Sequence, residues 1–488
     1  MRMFLYSPSS VYAMDKAAVN NDGLAEIELM QRAGALVWCE ISERWPALSK
    51  ITVFAGSGNN GGDAFVVAIL ASQNGVDVQF LSKGDLTKQS ATSAHYRDIW
   101  QQAGGVIEDW QGQAITGEVI VDGLLGIGLT RELNDDWQAL ITSINQCNAP
   151  KLAIDIPSGL NAQTGIAKPC AVEAQFTVTF IGRKVGQVLA DGPDYCGELI
   201  YGDLGISSAT RVSQVPALEV ISDANLTLPE QRKHNSHKYS FGHVLVIGGD
   251  EGMVGAASLA AQAALRMGAG IVTVLVHPSC VHSLSATPEL MVQSWDEIDD
   301  KLATATVVVV GPGLGQSDQA RACLEKLRDF DKPMVVDASA LIPDFLKSLC
   351  SSEVVITPHP GEAAKLLSKT SRDIQDNRLK ASDELTQQFG FVSVLKGSGT
   401  IIQQGSKTPA INLRGNPGMA SAGMGDVLAG MVGALLGQHL SAYEAAKTAV
   451  YLHARCAEEF ALDRDESGLI ASDIIRLIPK LVKQIRNV

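Results

Sequence analysis

The sequence is poor in aromatic residues and contains no C-x-x-C cysteine pair. Aromatic residues make up 5% of the 488 positions, whereas glycine occurs 46 times. This composition disfavours an all-β sandwich and suits an α/β fold with many tight strand-to-helix turns. The eight cysteines are scattered singly, which argues against a zinc ribbon or a thioredoxin-like site. We interpret them as small buried side chains in a reducing compartment.

Basic residues are outnumbered by acidic ones, 39 to 53, which gives a formal net charge of −14. A chain with this charge lacks the basic face that broad nucleic-acid binding needs. The longest apolar candidate, residues 417–437, contains Asp426 in its middle and is therefore no membrane span. Residues 1–6 carry no apolar stretch long enough for a signal peptide. We expect a cytoplasmic protein with no nucleic-acid or membrane partner, and we expect a homo-oligomer.

Short apolar runs recur in both halves of the chain and indicate parallel strands that are buried on both faces. In the first half they are residues 51–55, 76–81, 119–122, 152–156 and 176–180. In the second half they are residues 243–247, 271–276, 306–310, 333–336, 354–356 and 391–395. The spacing leaves room for crossover helices, so each half is predicted to be an α/β/α domain. We place the domains at residues 1–215 and 216–488. Residues 206–236 are predicted to form an aperiodic linker with at most one short strand, residues 218–221, and residues 25–39 have a helical pattern.

The first glycine loop, residues 56–63, follows a predicted strand and reads G-x-G-x-x-G up to Asp63. At a strand-to-helix turn this pattern predicts a Rossmann-like phosphate site at a helix N-terminus. A dinucleotide-dependent oxidoreductase also needs an acid at the tip of the next strand, where residues 81–84 read Leu-Ser-Lys-Gly and Asp85 comes late. A carboxylate at Asp63 instead favours a ligand hydroxyl or a nearby cation. The alternative is a structural turn that Asp63 caps.

Two further predicted strands of the first half end in an aspartate. Asp122 ends one and Asp155 ends the other, and Ser158 follows in the same turn. Because ligands of open α/β sheets lie beyond the carboxyl ends of the strands, these side chains and Asn60 are expected to converge. Amide, carboxylate and hydroxyl oxygens suit a hard cation, and Asp155 suits a proton shuttle. Taken singly, each aspartate could equally be a turn or capping residue.

These motifs resemble the NAD(P)H-hydrate epimerase domain over about residues 10–205. The resemblance implies that K⁺ is held by Asn60, Asp122 and Ser158, and that Asp155 contacts the hydrated ring and takes part in catalysis. It also implies two substrate-binding loops. The first consists of Asn59, Asn60, Gly61, Gly62 and Asp63, and the second of Gly126, Ile127, Gly128, Leu129, Thr130 and Arg131.

The second half carries a denser glycine motif, residues 415–426, which ends in Gly425 and Asp426 before an apolar helix-like stretch. Small residues before a helix leave its first N–H groups free to face an anion. Such amides can neutralise charge during phosphoryl transfer, and Asp426 can accept the proton of an attacking hydroxyl. The alternative is a packing helix that Asp426 caps.

This arrangement resembles the ribokinase-like superfamily and, more narrowly, ADP/ATP-dependent NAD(P)H-hydrate dehydratase over about residues 225–485. The implied C-terminal fold is therefore ribokinase-like. The implied substrate contacts are Ala256, Gly313, His359 and Asp426. The implied nucleotide contacts are Lys396, Gly397, Ser398, Gly399, Thr400 and Gly425. Ser339, Ser421, Ala422 and Met424 depart from the family pattern, which affects nucleotide preference more than reaction type.

The resemblance implies a bifunctional repair enzyme for hydrated NADH and NADPH. Phosphorylating the hydroxyl of the hydrated ring turns it into a good leaving group, and the ring nitrogen expels it. We expect ADP as the donor, giving AMP and phosphate, with Mg²⁺ screening the phosphates. The epimerase domain would supply the epimer that the dehydratase uses. Two alternatives are a small-molecule kinase, for a sugar or vitamin, fused to a Rossmann-like domain, and a nucleotide-sensing module with an inert first half.

Overall fold

The computed structural model describes residues 2–129, 131–284 and 287–486. The chain divides into two compact units, Phe4–Leu218 and Glu219–Val488, the second taking in Met1–Met3. We refer to them as the N-terminal and C-terminal units. The domain boundary that the sequence predicts, at residues 215–216, lies close to this division.

The N-terminal unit is built on a parallel sheet whose strand order is β4-β3-β2-β5-β6-β7-β9. Its strands are β1 (Phe4–Tyr6), β2 (Lys50–Ala55), β3 (Asp77–Ser82), β4 (Glu108–Asp109), β5 (Val119–Gly123), β6 (Lys151–Ile154), β7 (Phe176–Phe180), β8 (Arg183–Lys184) and β9 (Glu198–Gly202). Its helices are α1 (Pro8–Asp22), α2 (Glu26–Arg44), α3 (Asn59–Gln73), α4 (Ala91–Gln102), α5 (Asp135–Gln146), α6 (Gly192–Cys196) and α7 (Ser208–Arg211). Strands β1 and β8 pair with each other in parallel.

Alternation along the strands divides the N-terminal core between the two faces of the sheet. Ile51 and Val53 of β2 are fully buried in one cluster with residues of α1 to α4. Phe54 of the same strand is buried in a second cluster with residues of α5. The unit is therefore a three-layer α/β/α sandwich.

The C-terminal unit has a larger sheet in which the order of its strands is β13-β12-β11-β14-β15-β16-β17-β18-β19-β10. Its strands are β10 (Leu218–Val220), β11 (His243–Ile247), β12 (Ile271–Val276), β13 (Met291–Ser294), β14 (Val307–Val310), β15 (Met334–Val336), β16 (Val354–Ile356), β17 (Val392–Leu395), β18 (Thr400–Gln403) and β19 (Ala410–Asn412). Its helices are α8 (Val254–Arg266), α9 (Ile298–Thr304), α10 (Asp318–Lys326), α11 (Pro343–Ser348), α12 (Pro360–Leu367), α13 (Ser371–Asp376), α14 (Arg378–Phe389), α15 (Met424–Gly437), α16 (Ala442–Phe460) and α17 (Ala471–Arg486).

The C-terminal core is divided in the same way. Val244 and Val246 of β11 face a cluster that includes α8, α15, α16 and α17, whereas Leu245 and Ile247 face a cluster that includes α9 to α12 and α14. Strand β18 runs antiparallel to both of its neighbours, and the other paired strands of this sheet are parallel. The predicted α/β class is confirmed for both units.

The structure departs from the sequence prediction at several connections. No helix lies between β6 and β7 in the described chain, although the prediction allowed a crossover helix there. The linker expected to hold at most one short strand contains β10 and also the short helix α7. Helix α2 continues to Arg44, beyond the predicted end at Cys39. Within the described ranges, no helix is long and apolar enough to cross a membrane.

Candidate active sites

Glycines fix the first loop of the N-terminal unit where β2 meets α3. A Cβ on Gly56 would lie 1.8 Å from the carbonyl oxygen of Leu124, and one on Gly61 would lie 2.0 Å from the carbonyl oxygen of Gly56. No other residue fits either position without moving the backbone. This close approach brings the start of α3 against the turn that follows β5. The N-terminus of α3, with Asn59 and Asn60 as its first residues, therefore faces the carboxyl end of the sheet.

Three of the predicted side chains meet at the end of β5. The Oγ atom and the amide nitrogen of Ser158 donate hydrogen bonds to Asp122, at 2.6 and 2.7 Å. The Asn60 amide donates to the carbonyl oxygen of Leu125 at 3.1 Å, which leaves Oδ1 of Asn60 as an acceptor. Asp122 is fully buried, and this burial raises its pKa to about 6, although the hydrogen bonds from Ser158 and Leu124 act to lower it. The cluster offers amide, carboxylate and hydroxyl oxygens in a small volume.

A cavity of about 1280 Å³ opens beside this cluster. The two predicted substrate loops contribute Asn59, Asn60, Asp63, Gly126, Ile127, Gly128, Leu129 and Arg131 to its lining. Gly61 and Gly62 are buried and do not line it, and Thr130 lies outside the described residues. Asp155 also lines the cavity, as do Asp15 of α1 and Lys184 of β8, which the sequence prediction missed.

Asp155 is held as part of an ion pair. Lys184 Nζ contacts its Oδ1 atom, and the side chains of the pair are 1% exposed for Lys184 and 15% for Asp155. The same Oδ1 atom accepts hydrogen bonds from Oγ1 of Thr179 at 3.2 Å and from the amide of Phe180 at 3.3 Å. The backbone at Asp155 has φ 64°, a left-handed conformation that is uncommon outside glycine. Such backbone strain clusters at functional sites.

Two neighbouring carboxyl groups, Asp15 and Asp63, have raised pKa values. Burial, together with the charge of Asp155, raises the pKa of Asp15 to about 6, and Lys184 only partly offsets this. Burial and the charges of Asp155 and Asp15 raise the pKa of Asp63 well above its ordinary value. The cavity thus holds one lysine-paired carboxylate and two carboxyl groups whose pKa values are raised. Groups arranged in this way suit proton transfer.

In the C-terminal unit, the carboxyl ends of neighbouring parallel strands carry the charged side chains. Oδ1 of Asp337, just after β15, accepts hydrogen bonds from Lys396 Nζ and from Thr357 Oγ1, both at 2.8 Å. Lys396 follows β17, and its Nζ atom also lies 3.8 Å from Oε2 of Glu362 at the start of α12. The Asp337 side chain is 2% exposed. Lys396 therefore joins two carboxylates at the edge where a ligand of this fold is expected.

Asp426 lies in the first turn of α15, as predicted. The helix starts after Gly423, which has φ 87°. The first amide that donates to a preceding carbonyl oxygen is that of Val427, which donates to Gly423. The amides of the three residues before Val427 therefore have no partner within the helix. Burial raises the pKa of Asp426 to about 6, with further contributions from the charges of Asp337 and Glu362 against that of Lys396.

Of the other three predicted substrate residues, two are adjacent to each other and the third caps a helix. A Cβ on Gly313 would lie 3.1 Å from Cβ of Ala256, so these two residues are adjacent. His359 is the N-cap of α12, where Nδ1 accepts hydrogen bonds from the amides of Gly361 and Glu362, and its Nε2 lies 3.4 Å from Oε1 of Glu362. Its side chain is 56% exposed, so the ring remains open to a ligand.

Arg378, a buried residue that the sequence prediction missed, supports the predicted nucleotide loop. Its Nη2 atom donates to the carbonyl oxygens of Leu395, Lys396 and Gly399 at 3.2 to 3.3 Å. Gly397 has φ 134°, and a Cβ there would lie 2.9 Å from Nη1 of Arg378. One guanidinium group thus fixes the loop from Lys396 to Thr400 through backbone carbonyl oxygens. The solvent-exposed side of the loop stays open to a ligand.

Among the described residues, no cluster of three or more His, Cys, Asp or Glu side chains could hold a metal ion. The cluster of Asn60, Asp122 and Ser158 in the N-terminal unit contains only one residue of these four types, and its other oxygen atoms come from asparagine and serine. Asp337 and Glu362 are also missed by the sequence prediction, although Asp337 ends a predicted strand as Asp122 and Asp155 do. Applying the same strand-end rule to the second half would have found it.

Comparisons with known proteins cover both units. A family model described as NAD(P)H-hydrate dehydratase matches residues 244–480, and one described as YjeF-related protein N-terminus matches residues 26–186. The chain is 40% identical to the bifunctional NAD(P)H-hydrate repair enzyme of Coxiella burnetii over 98% of this chain and 99% of that one. It is 38% identical to the bifunctional NAD(P)H-hydrate repair enzyme of Escherichia coli, over 96% and 92%.

A solved structure matches part of the chain. A ribokinase-like superfamily protein from Enterococcus faecalis is 29% identical, with a TM-score of 0.50, and the match covers 55% of this chain and 95% of that one. The likeness in sequence to the repair enzymes therefore spans both units, and the likeness to this structure extends over about half of the chain.

Proposed function

The chain belongs to the family of bifunctional NAD(P)H-hydrate repair enzymes, and we propose how its residues divide the two reactions. The protein epimerises the R and S forms of hydrated NAD(P)H and dehydrates the S form to NAD(P)H at the expense of ADP, giving AMP and phosphate. We assign epimerisation to the domain of residues 1–215 and dehydration to that of residues 216–488. The observation that carries this division is the presence of a separate set of buried charged groups in each unit.

In the epimerase, the substrate occupies the cavity between the two loops. The free amides at the start of α3 bind its phosphate groups, and Asn59 to Asp63 and Gly126 to Arg131 surround the nucleotide. Asp155 contacts the hydrated ring, because it is the carboxylate that Lys184 and the backbone hold in one position. The groups that bind are thus on the loops, and the group that reacts is on a strained turn.

We assign a K⁺ site to Asn60, Asp122 and Ser158. The buried carboxylate of Asp122 and the acceptor Oδ1 of Asn60 fit a weakly hydrated cation, which would neutralise Asp122 and order the turn beneath the cavity. The cation supplies charge and position, and the proton transfers belong to the carboxyl groups in the cavity.

We expect KCl to raise the unfolding temperature of the N-terminal unit more than choline chloride does at equal ionic strength. A cation that binds only the folded state stabilises it by mass action. Thermal unfolding, followed by hydrogen exchange of β5 amides, measures the shift. Asp122→Asn should remove the difference between the two salts. Equal shifts in both salts for the unchanged protein would rule out a specific site.

In the dehydratase, the free amides at the start of α15 bind the phosphates of ADP. The nucleotide is also bound by Gly425 and by the loop from Lys396 to Thr400. The substrate lies against Ala256, Gly313 and His359. Asp426 takes the proton of the substrate hydroxyl as that oxygen attacks the terminal phosphate. The phosphate then leaves with its C–O bonding pair while the lone pair of the ring nitrogen forms a C=N⁺ bond. Loss of a proton from the neighbouring ring carbon to water forms the C=C double bond and returns the electrons of the C=N⁺ bond to nitrogen.

Mg²⁺ would accompany the nucleotide here. Asp337 and Glu362, the two carboxylates around Lys396, fit a metal that is held mainly by phosphate oxygens and water and by only one or two side chains. When bound, the ion screens the phosphate charges. We also propose that the protein works in the cytoplasm, which its eight free cysteines support. The homo-oligomer stays a prediction that light scattering would test.

The function is tested with a mixture of both epimers of hydrated NADH and an excess of ADP. We expect complete conversion to NADH with one phosphate released per NADH and no lasting phosphoester. The S form should disappear first, and the R form should follow faster than it exchanges without protein. Conversion that leaves the R form to spontaneous exchange would show an inert first site. An accumulating phosphoester would show a kinase instead.

A further inference from the structure

Helix α1 contributes an acid to the epimerase cavity. It begins at Pro8, where the Ser7 side chain caps it, and ends before Gly23 at φ 71°. Val11, Asp15 and Val19 are spaced four residues apart and all line the cavity, so they form one face of the helix. Asp15 is the acid among the α1 residues that line the cavity, which also include Tyr12, Lys16 and Asn20. Helix α1 also lies before residue 26, where the match to the N-terminal family model begins.

The lysine of the cavity is already committed to Asp155. Lys184 Nζ contacts Oδ1 of Asp155 and donates to Thr179 Oγ1 at 2.9 Å and to the carbonyl oxygen of Phe180 at 3.1 Å. An ammonium group has three donors, so these three acceptors use all of them. Asp15 therefore has no donor of Lys184 left to stabilise a charge of its own. One cavity thus holds a carboxylate that is bound by lysine and a second carboxyl group that is not.

We propose that Asp15 is a second catalytic residue of the epimerase, which protonates the departing hydroxyl of the hydrated ring, while Asp155 accepts a proton from the water that adds to the opposite face. The proposal rests on the assignment of this cavity to epimerisation. It extends that assignment, because one carboxylate alone cannot serve both faces of the ring.

The step balances without a redox partner. The C–O bond breaks, its electron pair leaves with oxygen, and the proton of Asp15 completes a water molecule. The lone pair of the ring nitrogen forms a C=N⁺ bond with the same carbon. A second water attacks from the other face, its proton passes to Asp155, and the electrons of the C=N⁺ bond return to nitrogen. Each turnover moves one proton from Asp15 to Asp155, and water in the open cavity restores the first state. The reverse reaction exchanges the two roles.

Asp15→Asn tests this step in the absence of ADP, with the R and S forms separated by chromatography. We expect kcat for epimer exchange to fall by about 100-fold or more, with KM little changed, because asparagine cannot donate the proton. Glu43→Gln, an exposed carboxylate on α2 outside the cavity, is the matched control and should behave as the unchanged protein. Exchange within a few-fold of the unchanged protein, or a rise in KM alone, would overturn the role of Asp15.

A measurement on the unchanged protein covers the case in which Asp15→Asn does not fold. In ¹⁸O-labelled water, each inversion should place one ¹⁸O atom on the ring, because the departing water lies on the wrong face to return. Retention of ¹⁶O would overturn the proposed bond cleavage. If the unchanged protein shows no exchange at all, the assigned epimerase function fails, and the two failures are thereby distinguished.

The pH dependence gives an independent readout. Asp15 acts in its protonated form, so kcat/KM for epimerisation should fall as pH rises through its pKa of about 6. The charged and titratable groups that face it are Asp63 of α3, Asp155 after β6, Lys184 of β8 and Glu26 of α2. Asp15→Glu should keep the falling limb, whereas Asp15→Asn should lose it. A falling limb that persists in Asp15→Asn would assign it to another of these groups and overturn the proposal.

Discussion

Replacing Asp426 with asparagine is expected to abolish dehydration and leave epimer exchange unchanged. Asparagine keeps the size of the side chain in the first turn of α15 but cannot take the proton of the attacking hydroxyl. General bases contribute about 10² to 10⁴ in rate, so a loss of that size is expected in kcat. Release of phosphate from ADP with the S form measures dehydration, and chromatography of the two forms without ADP measures exchange.

The matched control is Asp318→Asn, since Asp318 is 99% exposed and also lies in the first turn of a helix. It should leave both activities intact. Dehydration that survives in Asp426→Asn would remove Asp426 as the base. A parallel loss of epimer exchange would indicate damage to the whole chain rather than to one site.

The pH profile of dehydration has the opposite sign to that expected of epimerisation. Asp426 acts in its ionised form, so the rate should rise with pH through its pKa of about 6. Asp337, Glu362 and Lys396 face the same group and set this value together with burial. In Asp426→Asn the residual rate should lose this limb. If dehydration rises with pH while epimerisation falls with pH in the unchanged protein, the two activities belong to different sites, and no substitution is needed to show it.

The sequence could predict the strands and the residues at their ends. Buried parallel strands are continuous apolar runs, and β11 and β7 have the predicted limits, His243–Ile247 and Phe176–Phe180. Asp122 and Asp155 could be predicted as site residues because each lies where a strand ends, and the ends of these strands can be read from the sequence. The glycine loops were visible because Gly56 and Gly61 meet backbone oxygen atoms at distances that no Cβ tolerates.

Side chains that reach a site from a distant part of the sequence could not be predicted. Asp15 reaches the cavity from a helix before the first large strand, and nothing in its local pattern separates it from a solvated charge on an amphipathic helix. Arg378 is a single arginine in a helix, and its role depends on three carbonyl oxygens of a loop that comes later in the chain. The missing helix between β6 and β7 has a similar cause, because strand spacing gives room for a helix but does not require one.

Both units use a buried lysine in the same way. Lys184 pairs with Asp155 and Lys396 pairs with Asp337, and in each case the pKa of a neighbouring carboxyl group, Asp15 or Asp426, is raised to about 6. A lysine that neutralises one carboxylate lets a second carboxyl lie nearby without forcing it to ionise. Separation of protonation states between neighbours is what acid–base chemistry near neutral pH requires.

Lys396→Met is therefore expected to destabilise the C-terminal unit by about 3 to 5 kcal/mol, because it leaves the buried charge of Asp337 without its cation. Hydrogen exchange of the β15 and β17 amides reports this unit alone. Adding Asp337→Asn should restore most of the stability, since the double variant buries no unpaired charge, while dehydration stays lost in both. The control Lys326→Met removes an exposed pair with Asp299 and should cost less than about 1 kcal/mol. Equal costs for Lys396→Met and Lys326→Met would mean that solvent reaches Asp337 and that the pair does not set the charge of the site.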